Sequence, residues 1–190
     1  GSAEEPWGAI AFRDDLRPNA VQAIRHLRAA GVAKIVMLTG DNPRTAAAIA
    51  GAVGLDAVHA GLSPEQKVAK VRELAHSEGH VAMVGDGVND APALAEATVG
   101  IAMGAAGTDV ALETADVVLM GDDLDKVAYA LRLARRNQAV VRQNLVLSAV
   151  VIGTLVAGAI AGAFSLPVAV LGHELSEFVV IANGLRMLRA

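Results

Sequence analysis

The sequence predicts an α/β protein, a parallel sheet with flanking helices, followed by a hairpin of two membrane-crossing helices. Three observations carry this. Short apolar runs at 35–38, 81–84, 99–103 and 117–120 alternate with segments of helical periodicity, as right-handed βαβ units do. Between two such segments, Val84-Gly85-Asp86-Gly87-Val88-Asn89-Asp90-Ala91-Pro92-Ala93-Leu94 places two carboxylates and an amide on a strand-to-helix loop. Open α/β sheets bind ligands at such loops, beyond the carboxyl ends of their strands. Residues 145–164 carry no charge and are long enough to cross the ~30 Å hydrocarbon core of a bilayer.

Each element follows from local chemistry. Residues 9–12 are a short apolar run, read as a strand, which charge and Pro18 then break. Asn19 stands where an N-cap belongs, and 20–30 follow with Val21, Ile24 and Leu27 on one face, ending at Gly31. The strand at 35–38 leads through Thr39-Gly40-Asp41-Asn42-Pro43 into a helix over 45–53, closed near Gly54. A strand and turn occupy 55–62. Ser63-Pro64-Glu65 starts a helix, with proline at its first position, and the helix over 66–77 carries Lys67. The strand at 81–84 enters the acidic loop, and the small residues 91–97 leave it as a helix. A glycine-rich turn at 104–109 feeds a short helix, 110–114, between the strands at 99–103 and 117–120. A longer helix over 124–144 is polar and arginine-rich on one side. The apolar spans at 145–164 and 168–188 follow, separated by Ser165-Leu166-Pro167. Residues 1–8 read as tag and linker, 9–143 as the sheet domain and 144–190 as the membrane hairpin.

Composition narrows the function classes. Hydrophobic residues make up 54% of the 190 and mean hydropathy is +0.45, which fits a membrane segment attached to a soluble domain. The net charge of −4 gives no basic excess for nucleic acid. With no cysteine there is neither a disulfide nor a thiolate metal site. Arg132, Arg135, Arg136 and Arg142 precede the first span, and Arg186 and Arg189 close the second. Both flanks therefore face the cytoplasm of a multi-pass membrane protein, with the Ser165 turn outside.

The chemistry-bearing residues fall at strand ends. Thr39 and Asp41 follow one strand; Asp86, Asn89 and Asp90 follow another; Lys67 sits on the helix leading into the second. A hydroxyl and an ammonium can hold phosphoryl oxygens, and two carboxylates suit Mg²⁺, which offsets the charge they share with a phosphate. Gly85 and Gly87 let the backbone approach a ligand. The competing reading is a polar turn with acidic caps, and Lys67 taken alone would be a solvated helix residue. In the second span His173 and Glu177, four residues apart, share a helix face, and Glu174 lies ~100° away. Ionisable groups inside a membrane cost several kcal/mol, roughly, unless they pair or ligate. Imidazole plus carboxylate suits a divalent transition metal; the competing reading is a helix-cap cluster near Pro167.

Three motifs, Met37-Leu38-Thr39-Gly40-Asp41-Asn42, Ser63-Pro64-Glu65-Gln66-Lys67 and Met83 to Leu94, resemble those of the P-type ATPases. Asp14-Asp15-Leu16-Arg17-Pro18 and Gly100-Ile101-Ala102-Met103-Gly104 fit the same family. The resemblance implies a haloacid-dehalogenase-like phosphorylation domain. Thr39 and Gly40 would contact the phosphoryl group, with Asp41 in the same loop. Lys67 would stabilise that group, Asp86 would ligate Mg²⁺, and Asn89 and Asp90 would support the metal. The family's phosphorylated aspartate lies in an Asp-Lys-Thr-Gly-Thr motif that this sequence lacks. The chain therefore resembles a carboxyl-terminal piece whose nucleophile, nucleotide-binding domain and earlier membrane helices belong to the missing amino-terminal part. The resemblance also implies that the absent strand is central, so the sheet here is gapped or re-paired and this piece alone does not hydrolyse ATP.

Gly172-His173-Glu174-Leu175-Ser176, with Asn183-Gly184-Leu185-Arg186, resembles the last membrane helix of heavy-metal P-type ATPases, nearest the cobalt/zinc/cadmium subgroup and its His-Glu-Gly-Gly-Thr motif. Leu175 and Glu177 depart from that motif. The implied function is ATP-driven export of Co²⁺, Zn²⁺ or Cd²⁺, with ATP and Mg²⁺ at the sheet and His173, Glu174 and Glu177 on the ion path. The alternative is a non-catalytic, membrane-anchored fragment that binds metal or docks on a complete pump. A phosphatase with a membrane tail is set aside because no Asp-x-Asp nucleophile motif is recognised.

Overall fold

The structure is a computed structural model that describes residues 16–87, 89–104, 109–121 and 123–189, of which 109–111 and 189 are described by backbone alone. The strand expected at 9–12, the Asp14-Asp15 pair, Val88 and most of the glycine-rich turn lie outside them. In chain order the elements are α1 (Ala20–Ala29), β1 (Val36–Leu38), α2 (Pro43–Val53), β2 (Ala57–His59), α3 (Pro64–Glu78), β3 (Ala82–Gly85), α4 (Ala91–Glu96), β4 (Val99–Met103), α5 (Asp109–Thr114), β5 (Val117–Leu119), α6 (Asp125–Ile160) and α7 (Leu166–Leu185), with a closing 3₁₀ turn, Arg186–Arg189.

All strand pairing among the described residues is parallel. β1 pairs with β2, Val36 opposite Ala57 and Leu38 opposite His59. β3, β4 and β5 form a second sheet, Ala82 opposite Val99 and Ile101 opposite Val117. β1 and β3 are not hydrogen-bonded to each other. Among the described residues the expected gap is thus present, and apolar packing reaches across it. Leu38 of β1 packs on the buried cluster of Val71, Met83, Ala93, Leu94 and Ala102, which joins α3, β3, α4 and β4. Small residues let these layers close. A Cβ at Gly100 would sit 2.6 Å from the Leu94 carbonyl oxygen.

Helix starts obey side-chain chemistry. Asn42 accepts a hydrogen bond from the Thr45 amide, so α2 begins at Pro43, two residues before the expected start. Ser63 and Gln66 form a reciprocal capping box at the head of α3. Asn19 is a correction: its side chain makes no cap and instead donates to Asp123 at 2.6 Å. Capping would use the Asn19 side-chain oxygen as acceptor for a first-turn amide, whereas the bond it makes uses its nitrogen as donor to a carboxylate.

The helix expected at 124–144 and the span expected at 145–164 are one 36-residue helix, α6. A change from charged to apolar side chains leaves the backbone ladder intact, and no proline or glycine pair interrupts it there. It stops four residues early because Gly162 adopts φ +71° and the Ala163 amide closes on the Gly158 carbonyl at 2.8 Å. Pro167 opens α7 from its first turn.

The chain packs as two compact units, one through Ala128 and one from Tyr129 onward. In the second, Leu145, Ile160, Leu166, Phe178 and Leu188 are exposed. α6 and the helical stretch Leu166–Leu188 are each long and apolar enough to cross a membrane, with mean hydropathy 1.8 and 1.3 over their apolar windows.

Gly100→Ala should destabilise the first unit by about 1–3 kcal/mol, because backbone cannot yield to the added methyl. Gly51→Ala in α2 meets nothing within 4 Å and should stabilise by roughly 0.5–1 kcal/mol; urea unfolding reads both. Asp56 accepts from the Ile35 amide at 2.7 Å and from Arg28 at 3.0 Å. The Ile35 amide first, then Arg28, hold its carboxyl below the ordinary aspartate value. Its contribution is therefore complete above that ordinary value and disappears as pH falls through the depressed one. Asp56→Asn should reduce the acid-side loss of stability, read as unfolding midpoint against pH.

Candidate functional site

The loop after β1 is held by short-range bonds. The Thr39 hydroxyl donates to an Asp41 carboxylate oxygen at 2.8 Å and accepts from the Asp41 amide at 3.1 Å. The backbone ties it sideways to the loop after β2: the Thr39 amide donates to the His59 carbonyl, the Leu62 amide to the Thr39 carbonyl (both 3.0 Å), and the Gly61 amide to the Asp41 carbonyl at 2.8 Å. Gly40 is exposed between them, and a Cβ there would only touch the Leu62 carbonyl at 3.4 Å. Leu62 runs directly into the capped start of α3, where Ser63 accepts from the Lys67 amide at 2.9 Å.

From α3, Lys67 reaches the third loop. Its Nζ donates to Asp90 at 2.7 Å, with both side chains only 16% exposed. A pair this withdrawn from water is stronger than a surface bridge and costs more to break. Asp90 leads into α4, whose Leu94 amide bonds its carbonyl at 2.8 Å. Gly85, the last residue of β3, makes room for it: a Cβ at Gly85 would lie 2.8 Å from both Cβ and Oδ2 of Asp90. Asp86 is exposed, and one of its oxygens accepts from the Asn89 amide at 3.2 Å. Gly87 has φ +78°, the left-handed turn that carries the chain from Asp86 toward Asn89.

A continuous set of bonded contacts thus runs from Thr39 through Leu62, Ser63 and Lys67 to Asp90. Thr39, Gly40, Asp41, Asp86, Asn89 and Asp90 all lie at the carboxyl ends of parallel strands. The donor set near α4 is carboxylate oxygen, the kind Mg²⁺ takes one or two at a time beside phosphate and water. Lys67 engages one Asp90 oxygen, and the Asn89 amide bonds one Asp86 oxygen.

In the second unit a groove of about 310 Å³ lies between α6 and α7, bordered by Ser148, Ile152, His173, Ser176 and Glu177. His173 Nε2 stands 3.6 Å from a Glu177 oxygen. Glu174 does not border the groove, so two of the three expected metal-path residues come together. Among the described residues no cluster of three or more His, Asp or Glu could hold a metal ion. Ser148 is a groove residue the sequence alone did not single out. Its spacing of four from both Asn144 and Ile152 is the signal that could have found it.

The chain does contain one Asp-x-Asp spacing, Asp123-Leu124-Asp125, which corrects the sequence reading. Both carboxylates are structural. Asp123 accepts from Asn19 and from the Asp125 amide, and Asp125 lies 2.9 Å from His26 Nδ1.

Residues 2–98 match the family model "haloacid dehalogenase-like hydrolase". The chain is 53% identical over 179 residues to the probable cation-transporting ATPase G of Mycobacterium tuberculosis, covering 94% of this chain and 23% of that protein. It is 49% identical over 182 residues to the zinc-transporting ATPase of Bacillus subtilis, covering 96% and 28%. The crystal structure of a zinc-transporting PIB-type ATPase in its E2.Pi state superposes with TM-score 0.85 at 48% identity, over 93% of this chain and 28% of that one. The chain belongs to the haloacid dehalogenase-like hydrolases, and these relatives carry the names of cation- and zinc-transporting ATPases. It spans about a quarter of their length.

Lys67→Met should cost the first unit about 1.5–3 kcal/mol by stranding the half-buried Asp90 carboxylate. Lys67→Met with Asp90→Asn should recover part of that loss in a denaturant-unfolding cycle.

Proposed function

We propose that this member of the haloacid dehalogenase-like hydrolases is the Mg²⁺- and phosphoryl-holding part, with two membrane helices, of an ATP-driven exporter of a divalent transition-metal ion. The observation that carries the reading is the bonded path from Thr39 to Asp90 across three strand-end loops, in a chain about half identical to cation-transporting ATPases. The phosphoryl group of ATP passes to an aspartate outside this chain, ADP leaves, and water later cleaves the aspartyl phosphate. Thr39 and the Gly40 backbone hold phosphoryl oxygens, and Asp41 orients the Thr39 hydroxyl. Lys67 places positive charge beside them, and Asp90 keeps that ammonium in position. Asp86 would hold Mg²⁺, and the Asn89 amide fixes the Asp86 side chain in its loop. When bound, Mg²⁺ offsets the negative charge that phosphoryl and carboxylate oxygens share.

The division we assign is functional. Residues 9–143 are the phosphorylation part, and 144–190 the membrane part with spans near 145–164 and 168–188. The arginines before the first span and after the second put both flanks in the cytoplasm. Cargo is a cation of the Co²⁺, Zn²⁺ and Cd²⁺ group, because imidazole with carboxylate suits such ions. His173 and Glu177, which share the groove, and Glu174 beside them contribute to its path.

In the complete protein, Asp86→Asn should lower metal-stimulated ATP turnover by at least about 10²-fold. His173→Ala should abolish metal stimulation while leaving phosphorylation by inorganic phosphate. ATPase assays over a metal series, with phosphoenzyme labelling, read both. Parental activity in both variants would remove the assignment.

A further inference from the structure

The two membrane helices face each other across the groove. On α6 the facing residues are Asn144, Ser148, Ile152 and Leu155; on α7, Asn183, Val180, Ser176 and His173. The steps of three and four residues keep each set on one helix face. At the far end the Leu155 side chain reaches Gly172, where an added Cβ would come within 3.3 Å of its methyl group. At the near end the contacts become polar. Asn183 Nδ2 donates to Asn144 Oδ1 at 2.8 Å and, more weakly, to Gln143 Oε1 at 3.4 Å. Arg186 donates to Asn183 Oδ1 at 2.7 Å, and Asn144 Nδ2 reaches the Val180 carbonyl at 3.4 Å. Both hydrogens and the oxygen of the Asn183 amide are therefore engaged.

We infer that the Asn144–Asn183 pair is a positioning device that sets the register of α7 on α6, and through it the distance of His173 and Glu177 from Ser148. The inference rests on the reading of this hairpin as part of a metal exporter. Its physical basis is the poverty of other register signals. Among the described residues Ser148, Ser176 and His173 make no hydrogen bond from one helix to the other, Ser176 bonding the His173 carbonyl of its own helix. The remaining side chains there, Ile152, Leu155 and Val180, are apolar, and lipid tails are as apolar as these, so such contact distinguishes weakly between adjacent registers displaced by one helical turn, ~5.4 Å. Such a slip breaks the three amide bonds that join the helices, while the Arg186–Asn183 bond moves with α7, and it carries His173 away from Ile152. A single polar pair in an apolar seam fixes register in this way in coiled coils. Asn144 and Asn183 touch none of the groove residues' metal-binding atoms, so they act through helix placement.

The test uses the complete pump, with Zn²⁺ as the probe, and the variants Asn144→Ala, Asn183→Ala, both together, and Asn144→Asp. Each alanine variant should raise the half-activating Zn²⁺ concentration about tenfold, the size of effect seen when a ligand's supporting partner is lost. The double variant should raise it no further, because the two residues act as one unit. Asn144→Asp retains an oxygen for the Asn183 amide and should stay near the parent. Phosphorylation by inorganic phosphate without metal should match the parent in all four. Unchanged activation in the single variants overturns the inference. So do multiplying effects in the double variant, an Asn144→Asp as impaired as Asn144→Ala, or a parallel loss of phosphorylation that marks general misfolding. A parent that no divalent metal activates would instead overturn the exporter reading on which the inference rests.

Discussion

The Lys67–Asp90 ion pair is the contact on which the first unit's site depends. It lies largely out of water, so neither partner can be left alone cheaply. It also has strict steric terms. Asp90 fits only because residue 85 has no side chain, and Lys67 reaches it only because Ser63 and Gln66 fix where α3 begins. One ammonium thereby joins the end of β3 to the head of α3. The backbone bonds between the Thr39 and Leu62 loops extend the same connection to the end of β1. Three strand tips, two from one hydrogen-bonded sheet and one from the other, are held together by loop chemistry.

This explains how the site survives a gap in the sheet. β1–β2 and β3–β4–β5 are separate hydrogen-bonded sets, yet Leu38 packs on the same buried cluster as Met83 and Leu94. Hydrophobic contact is not directional, so it tolerates a missing neighbour that a β ladder would not. The small residues at the α4–β4 contact, Gly100 above all, bring the layers close enough for that cluster to exclude water.

The second unit follows the opposite economy. Its apolar residues point outward, which suits a hydrocarbon surround and removes the burial that would otherwise specify packing. Directional contacts then carry more of the specification, and they gather at Asn144, Asn183 and Arg186. His173 and Glu177 meet across one helical turn, as their spacing requires.

The sequence by itself determined the order of elements, the parallel alternation, the three strand-end loops and the two long apolar helices. These depend on local periodicity, on caps such as Asn42 and Ser63, and on length, all of which act within a few residues. It also placed His173 and Glu177 on one face, because helix geometry alone does so. Tertiary structure decided what lies far apart in the chain. Asn19 bonds Asp123 instead of capping α1, Lys67 pairs with Asp90, and β1 stands apart from β3. It also excluded Glu174 from the groove and brought Ser148 into it. No spacing rule reaches across such separations, because which donor finds which acceptor depends on the packing that brings them within 3 Å or so of each other.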